Sequence, residues 1–217
     1  MVQITASALH CKSLSPTKLW FNNHRPPDFA YLTGFDPVSL ATYIDFFNFM
    51  AYDLHGSWES STLGPSIRAQ TSIIDIGNDL LPLWFDGVSP TKINLGLAYY
   101  GRGYTLTNTS CTGIGCPYSG PNRPGICTGS AGLLGLWEIQ TIIEQQNLTP
   151  KLLIDEMVKQ IVFNGDQWVG YDDAQTFALK KSWADGLCLG GTVIWSLDLF
   201  SGPGRFVCTS PFTRLTY

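Results

Sequence analysis

At 217 residues the chain is long enough for one domain with a sizeable core, and with 44% hydrophobic against 14% charged residues it is a packed α/β protein rather than a disordered one. A net charge of −4 argues against nucleic acid, which calls for a basic patch, and no apolar run reaches the length of a membrane-spanning helix. Met1-Val2-Gln3-Ile4-Thr5 carries neither a basic segment nor a long apolar stretch, so it does not read as a secretory signal.

In chain order, residues 1–28 contain no strand-like segment; Asn22-Asn23-His24-Arg25-Pro26-Pro27 reads as loop, His24 with it. The first strong element is Tyr43 to Met50, apolar and aromatic, which predicts a strand covered on both faces. It stops abruptly in Ala51-Tyr52-Asp53-Leu54-His55-Gly56, that is, in a phenol, a carboxylate and a glycine turn. Residues 66–85 place Ile67, Ile73, Ile76, Leu80 and Leu83 at helical spacing. A second strand follows, Ile93 to Tyr100, leading into Gly101-Arg102-Gly103, so 44–100 reads as strand, helix, strand.

Residues 102–177 hold too much structure for an ordinary connection. A Gly/Pro/Ser/Thr-rich stretch with Cys111, Cys116 and Cys127 comes first, then a helix over Leu133–Ile143. A hairpin from Phe163 to Tyr171 turns at Asn164-Gly165-Asp166. A helix over 174–184, capped by Asp172 or Asp173, and a third strand from Gly190 to Asp198 complete the chain.

The three clustered cysteines suit a disulfide staple; the zinc alternative is weak, since no histidine is near and no paired Cys-x-x-Cys occurs. The simplest arrangement joins two of them locally and sends the third elsewhere; a loop of about sixteen residues closed in this way is worth roughly 3 kcal/mol. Cys188 and Cys208 flank an apolar strand and either pair or remain buried thiols; Cys11 is unassigned. Asn108-Thr109-Ser110 and Asn147-Leu148-Thr149 are glycosylation sequons, the second weakened by Pro150. Seven Trp, nine Tyr and twelve Phe supply core packing and faces on which sugar rings can stack.

The Met50-Ala51-Tyr52-Asp53 strand end closely resembles the sixth barrel strand of family 18 glycoside hydrolases, the chitinases, whose signature there is Met-x-Tyr-Asp followed by a glycine. Tyr100-Gly101-Arg102-Gly103, Gln167-Trp168-Val169-Gly170-Tyr171-Asp172 and Trp195 continue the resemblance in order, and the cysteine loop is similar to the fungal, killer-toxin-related branch. The resemblance implies the C-terminal portion of a (β/α)8 TIM barrel, residues 1–101 and 178–217, with a small α+β insertion domain at 102–177. It implies chitin or N-acetylglucosamine oligosaccharides as partners, an extracellular location, and no cofactor or metal. Met50 and Tyr52 would line the pocket for the scissile sugar, Tyr52 donating to its acetamido oxygen. Asp53 would hydrogen-bond near the cleavage point, Tyr100 and Arg102 would bind the same region, and Trp195 would form the floor.

In that family the substrate's own acetamide is the nucleophile, and a Glu ending an Asp-x-x-Asp-x-Asp-x-Glu motif is the general acid. The motif is absent here. Of the four glutamates, Glu138, Glu144 and Glu156 fall in the insertion at expected helical positions, and Glu59 follows the Met-x-Tyr-Asp strand as a weak substitute acid. The reading is therefore a chitinase-like chain, inactive alone, or a chitin-oligosaccharide-binding protein of lectin type, or a remnant without function. With part of a barrel, it should also expose open sheet edges.

Overall fold

The computed structural model describes residues 36–200. The readings for residues 1–28, Cys11, His24 and Cys208 lie outside them. A short helix α1 (Pro37–Ala41) precedes strand β1 (Phe47–Phe49); helix α2 (Ile73–Phe85) leads to β2 (Ile93–Ala98) and β3 (Tyr100–Leu106). β4 (Tyr118–Pro121), β5 (Leu133–Gly135), α3 (Leu136–Gln146), β6 (Lys151–Leu153), β7 (Val158–Phe163) and β8 (Gln167–Tyr171) follow, then α4 (Ala174–Gly186) and β9 (Gly191–Trp195).

Two sheets result. One is parallel, ordered β1-β2-β9, and the other is antiparallel, ordered β4-β3-β8-β7-β6 with β5 on β3. Helix α2 is the crossover between β1 and β2. It buries Ile73, Ile76, Leu80 and Leu83 along one face against Ile93, Leu95 and Leu97 of β2. Each such side chain contributes about 1.5–3 kcal/mol by leaving water, which makes this seam the core of the parallel layer. A second core joins α3 (Leu136, Ile139) to β5, β7 and β8 (Leu134, Ile161, Phe163, Val169, Tyr171).

The first strand is shorter and barer than its sequence predicts. Only Phe47–Phe49 pair, and Tyr43 is 87% exposed and Met50 69%. Among the described residues β1 has a partner on one edge only, β2. Upstream of β1, the Lys92 ammonium donates to the carbonyls of Ala41 and Ile44, at 2.8 Å for the latter. The predicted helix over 66–85 begins only at Ile73, capped by Ser72. Residue 67 is instead tied to the cysteine loop, through Ile67 N donating to Cys116 O and Gly115 N to Ile67 O, both 2.9 Å.

The Leu133–Ile143 segment divides at Gly135 into β5 and α3. Glu138 is no ordinary surface position of that helix. It is 4% exposed and accepts from Gly135 N (2.8 Å), Cys127 N (2.7 Å) and Thr128 N (3.1 Å), so one carboxylate caps α3 and holds the Cys127 loop. Glu144 lies on α3, but Glu156 lies in the turn between β6 and β7 rather than on a helix. The hairpin turns at 164–166, where Asn164 (φ 48°) and Gly165 (φ 84°) adopt left-handed backbone.

Asp173 is the cap of α4, accepting from Gln175 N at 2.9 Å and Thr176 N at 3.1 Å. Asp172 does something else. Both its carboxylate oxygens lie 2.7 Å from Lys180 Nζ, and Thr71 Oγ1 donates to Oδ2 at 2.7 Å. Cys111 pairs with Cys116, five positions away, which shortens the loop expected from sequence and lowers its worth to about 2 kcal/mol. Cys127 and Cys188 are also disulfide-bonded, so Cys188 is not a buried thiol. Asn108 is exposed, its Oδ1 accepting from Ser110 N at 3.0 Å; Asn147 is the exposed, left-handed C-cap of α3.

Candidate functional site

The three parallel strands run the same way, so Met50, Tyr99–Tyr100 and Trp195 come out at one edge of the sheet. Phe49 stands opposite Leu95 and Ala98 opposite Trp195, which places Met50 and Trp195 on either side of β2. This is the edge at which barrel folds gather their chemistry. Gly96 makes room there: a Cβ would lie 2.6 Å from Phe49 O and 2.8 Å from the Tyr52 ring.

Beyond β1 the chain turns sharply at Asp53, a non-glycine residue at φ 57°. That conformation is costly for an L-residue, and Gln70 holds it. The Gln70 side chain, 1% exposed, accepts from Asp53 N at 3.2 Å and donates to Tyr100 O at 3.0 Å, while the Gln70 backbone carbonyl accepts from Leu54 N at 3.1 Å. Arg102 Nε then donates to Asp53 Oδ1 at 2.7 Å. The guanidinium lies 5.0 Å from the Trp58 ring and 5.6 Å from the Tyr100 ring, both within cation–π range. Tyr52 and Tyr100 meet edge to face at 6.1 Å.

Burial, with the Asp53 charge and hydrogen bond added, pushes the Tyr100 hydroxyl well above its ordinary range; burial and Asp53 raise Tyr52 also. Both phenols are therefore neutral donors at physiological pH. The arrangement offers the Tyr52 O–H donor, a guanidinium, a carboxylate that already holds the Tyr100 hydroxyl, and aromatic or thioether faces open to water at Met50 (69% exposed), Trp58 (52%) and Trp195 (58%). Such a surface suits a neutral polyhydroxylated ligand with apolar C–H faces.

The structure thus brings Tyr52, Asp53, Tyr100 and Arg102 into one contact network and sets Met50 and Trp195 at the same sheet edge. Sequence reasoning missed Gln70 and Trp58. Trp58 had a signal, an aromatic residue just after a glycine turn; a single Gln in a polar run had none. Glu59 is engaged elsewhere. Its carboxylate accepts from Gly56 N at 3.3 Å and lies 3.0 Å from His55 Nδ1, while His55 Nε2 lies 3.1 Å from Asp75 Oδ2. Among the described residues no cluster of His, Cys, Asp and Glu is arranged to hold a metal, and no helix is long and apolar enough to cross a membrane.

The sequence profile of the family described as "Glycosyl hydrolases family 18" matches residues 23–199. The chain belongs to this family. Among curated proteins, mouse Chitotriosidase-1 is 32% identical over 189 residues, covering 82% of this chain and 39% of that protein. Sheep Oviduct-specific glycoprotein is 32% identical over 186 residues (82% and 33%), and human Chitinase-3-like protein 2 is 32% identical over 182 residues (80% and 46%). The chain therefore spans a third to under a half of the length of these relatives. Among solved structures, a plant class V chitinase mutant from Cycas revoluta in complex with (GlcNAc)3 superposes with TM-score 0.64 at 30% identity, covering 74% of this chain and 44% of that one. Human YKL-39, described as a pseudo-chitinase with retained chitooligosaccharide binding, gives TM-score 0.65 at 31% identity (75% and 46%). The parallel sheet with its helices is accordingly the C-terminal portion of a TIM barrel, and the Asp53–Arg102 network lies at the carboxyl ends of its strands.

Proposed function

We propose that this family 18 chain binds N-acetylglucosamine oligosaccharides at the strand ends of its partial barrel, and that the 217-residue chain does not cleave them. The observation that carries the reading is the Asp53–Arg102 pair at 2.7 Å, framed by Tyr52, Tyr100 and Trp58, with the Asp53 side chain 41% and the Arg102 side chain 21% exposed. On this reading Tyr52 donates to the acetamido oxygen of the sugar in the cleavage position. Asp53 orients that acetamide and balances the positive charge that develops on it. Met50 lines the pocket, Arg102 and Tyr100 bind the neighbouring hydroxyls, and Trp195 stacks beneath the ring. Of the described residues, 36–101 and 178–200 act as the barrel portion and 102–177 as an inserted domain. The disulfide between Cys111 and Cys116 supports an extracellular setting.

Cleavage requires proton delivery to the leaving oxygen, and the acid-bearing motif is absent from the sequence. The solved relative YKL-39 favours binding without cleavage as a workable state of this fold. The similarity to Chitotriosidase-1 favours a second reading, retaining hydrolysis of β-1,4-linked N-acetylglucosamine polymers once an acid-bearing segment completes the cleft.

Titration of tryptophan emission with (GlcNAc)4 tests the first reading. We expect saturable binding, weakened about tenfold (1.4 kcal/mol) by Arg102→Ala or Trp195→Ala. Absence of binding at millimolar ligand would sink it. A chromogenic chitooligosaccharide should not turn over; turnover that persists in Glu59→Gln would overturn the claim of inactivity.

A further inference from the structure

One ionic group lies beside the site, formed by His55, Glu59 and Asp75. His55 lies midway between Asp53, which binds Arg102, and Trp58, whose ring faces the same guanidinium. The loop from 53 to 58 therefore reaches Arg102 from both its ends. No strand supports it, and the 3-10 turn Ser57–Ser61 starts only at its close. Gln70 fixes its first two residues. Its middle is fixed by His55, whose Nδ1 lies 3.0 Å from Glu59 Oε2 and whose Nε2 lies 3.1 Å from Asp75 Oδ2. The side chains of His55 and Glu59 are each 16% exposed. Ionised carboxylates only accept hydrogen bonds, so an imidazole facing one on each nitrogen must carry a proton on both.

We propose that His55 is a positioning residue for the sugar site: bridging Glu59 and Asp75, it fastens the Asp53–Glu59 loop to the N-terminus of α2 and so holds Trp58 over Arg102. The functional consequence rests on the sugar-binding reading above; the bridge itself does not. Burial alone would lower the His55 pKa, but hydrogen bonds and charge from Asp75 and Glu59 outweigh it and raise it to about 9. Asp79, one turn further along α2, adds negative charge to Asp75 and His55; Arg68 acts on Asp75; and Tyr104 and Tyr118 sense Glu59 from β3 and β4. Above pH 9 the ring loses a proton, one nitrogen becomes an acceptor facing a carboxylate, and that side of the bridge opens.

The test reads Trp58 directly, as the emission of the full chain minus that of Trp58→Phe, between pH 6 and 10. We expect a steady signal to about pH 8 and a change with midpoint near 9. His55→Gln can serve one carboxylate only, so it should show the high-pH signal already at pH 7 and no transition. Affinity for (GlcNAc)4 should fall over the same pH window and be about tenfold weaker in His55→Gln at pH 7. A flat Trp58 signal to pH 10 would overturn the proposal. Should His55→Gln not fold, Glu59→Gln keeps the Asp75 bond and should move the midpoint toward the ordinary imidazole range; an unmoved midpoint would overturn it equally. A Trp58 transition without (GlcNAc)4 binding at any pH would refute the sugar-binding reading while establishing the His55 anchor.

Discussion

Replacing Asp172 by Asn tests how the barrel portion and α4 are held together. The Lys180 ammonium and the Asp172 carboxylate are each 1% exposed, and the ammonium lies 2.7 Å from both carboxylate oxygens. Asp172→Asn leaves a cation in the interior without its bonded counter-charge, Glu156 acting on it only through space, a change that costs about 3–5 kcal/mol. An upper bound follows from the alternative, in which Lys180 gives up its proton. Neutralising a lysine of ordinary pKa 10.5 at pH 7 costs about 5 kcal/mol, so the share of the penalty due to the unpaired charge cannot exceed that. Burial already pushes the Lys180 pKa down against the pull of Asp172, and Asp172→Asn removes the pull. The unfolded chain then binds more protons than the folded one, so the variant should gain stability relative to the native chain as pH rises from 7 to 10. Urea unfolding gives both quantities, and thermal melts should fall by about 2–4 °C per kcal/mol for a chain of this size. Lys180→Met combined with Asp172→Asn should recover most of the loss, because the lone buried charge is gone. A cost below 1 kcal/mol for Asp172→Asn, or a deficit that does not shrink at pH 10, would refute the reasoning.

How far the sequence could be read follows from what kind of interaction each element rests on. Helix α4, the hairpin turn at Asn164-Gly165 and the parallel pair β1–β2 rest on local signals, namely a cap, a left-handed turn residue and apolar runs, and these are visible in a single chain. The apolar run at 43–50 predicts a longer strand than forms, because such a run records burial in a complete sheet, whereas among the described residues β1 has β2 alone. The helix start at Ile73 was missed because Ile67 answers to Cys116, a contact between distant residues that periodicity cannot report. The same holds at the site. Tyr52, Asp53, Tyr100 and Arg102 were legible as strand-end motifs. Gln70 and the two roles of Asp172 and Glu138 were not, because each is a polar side chain whose partners lie far off in the sequence. A buried Gln, Asp or Glu reads like a surface residue until the fold supplies its donors.

Three further outcomes are expected. Burial and the Asp75 charge raise the Asp79 pKa to about 6, so its ionisation costs stability progressively as pH rises from about 4 to 6 and by a constant amount above; Asp79→Asn should stabilise the chain by about 1 kcal/mol at pH 7.5 and by nothing below pH 4, as read by urea midpoints. Replacing Cys111 and Cys116 together by Ser opens a loop of five positions and should cost about 2 kcal/mol, with a fall under 0.5 kcal/mol counting against the staple. Gly56→Ala addresses the site itself. Gly56 has extended backbone (φ −171°) that any residue adopts, so alanine brings no backbone strain there. A Cβ at this position would, however, lie only 2.0–2.4 Å from three atoms of the Trp58 ring. The ring must therefore leave its place over Arg102, where a cation–π contact is worth about 0.5–1 kcal/mol at an exposed position. Stability should thus fall by no more than about 1 kcal/mol, while (GlcNAc)4 affinity drops about as far as it does in Trp58→Ala. If Gly56→Ala instead bound the tetrasaccharide as tightly as the native chain, the placement of Trp58 would have no bearing on sugar binding, and the site would have to be drawn without it.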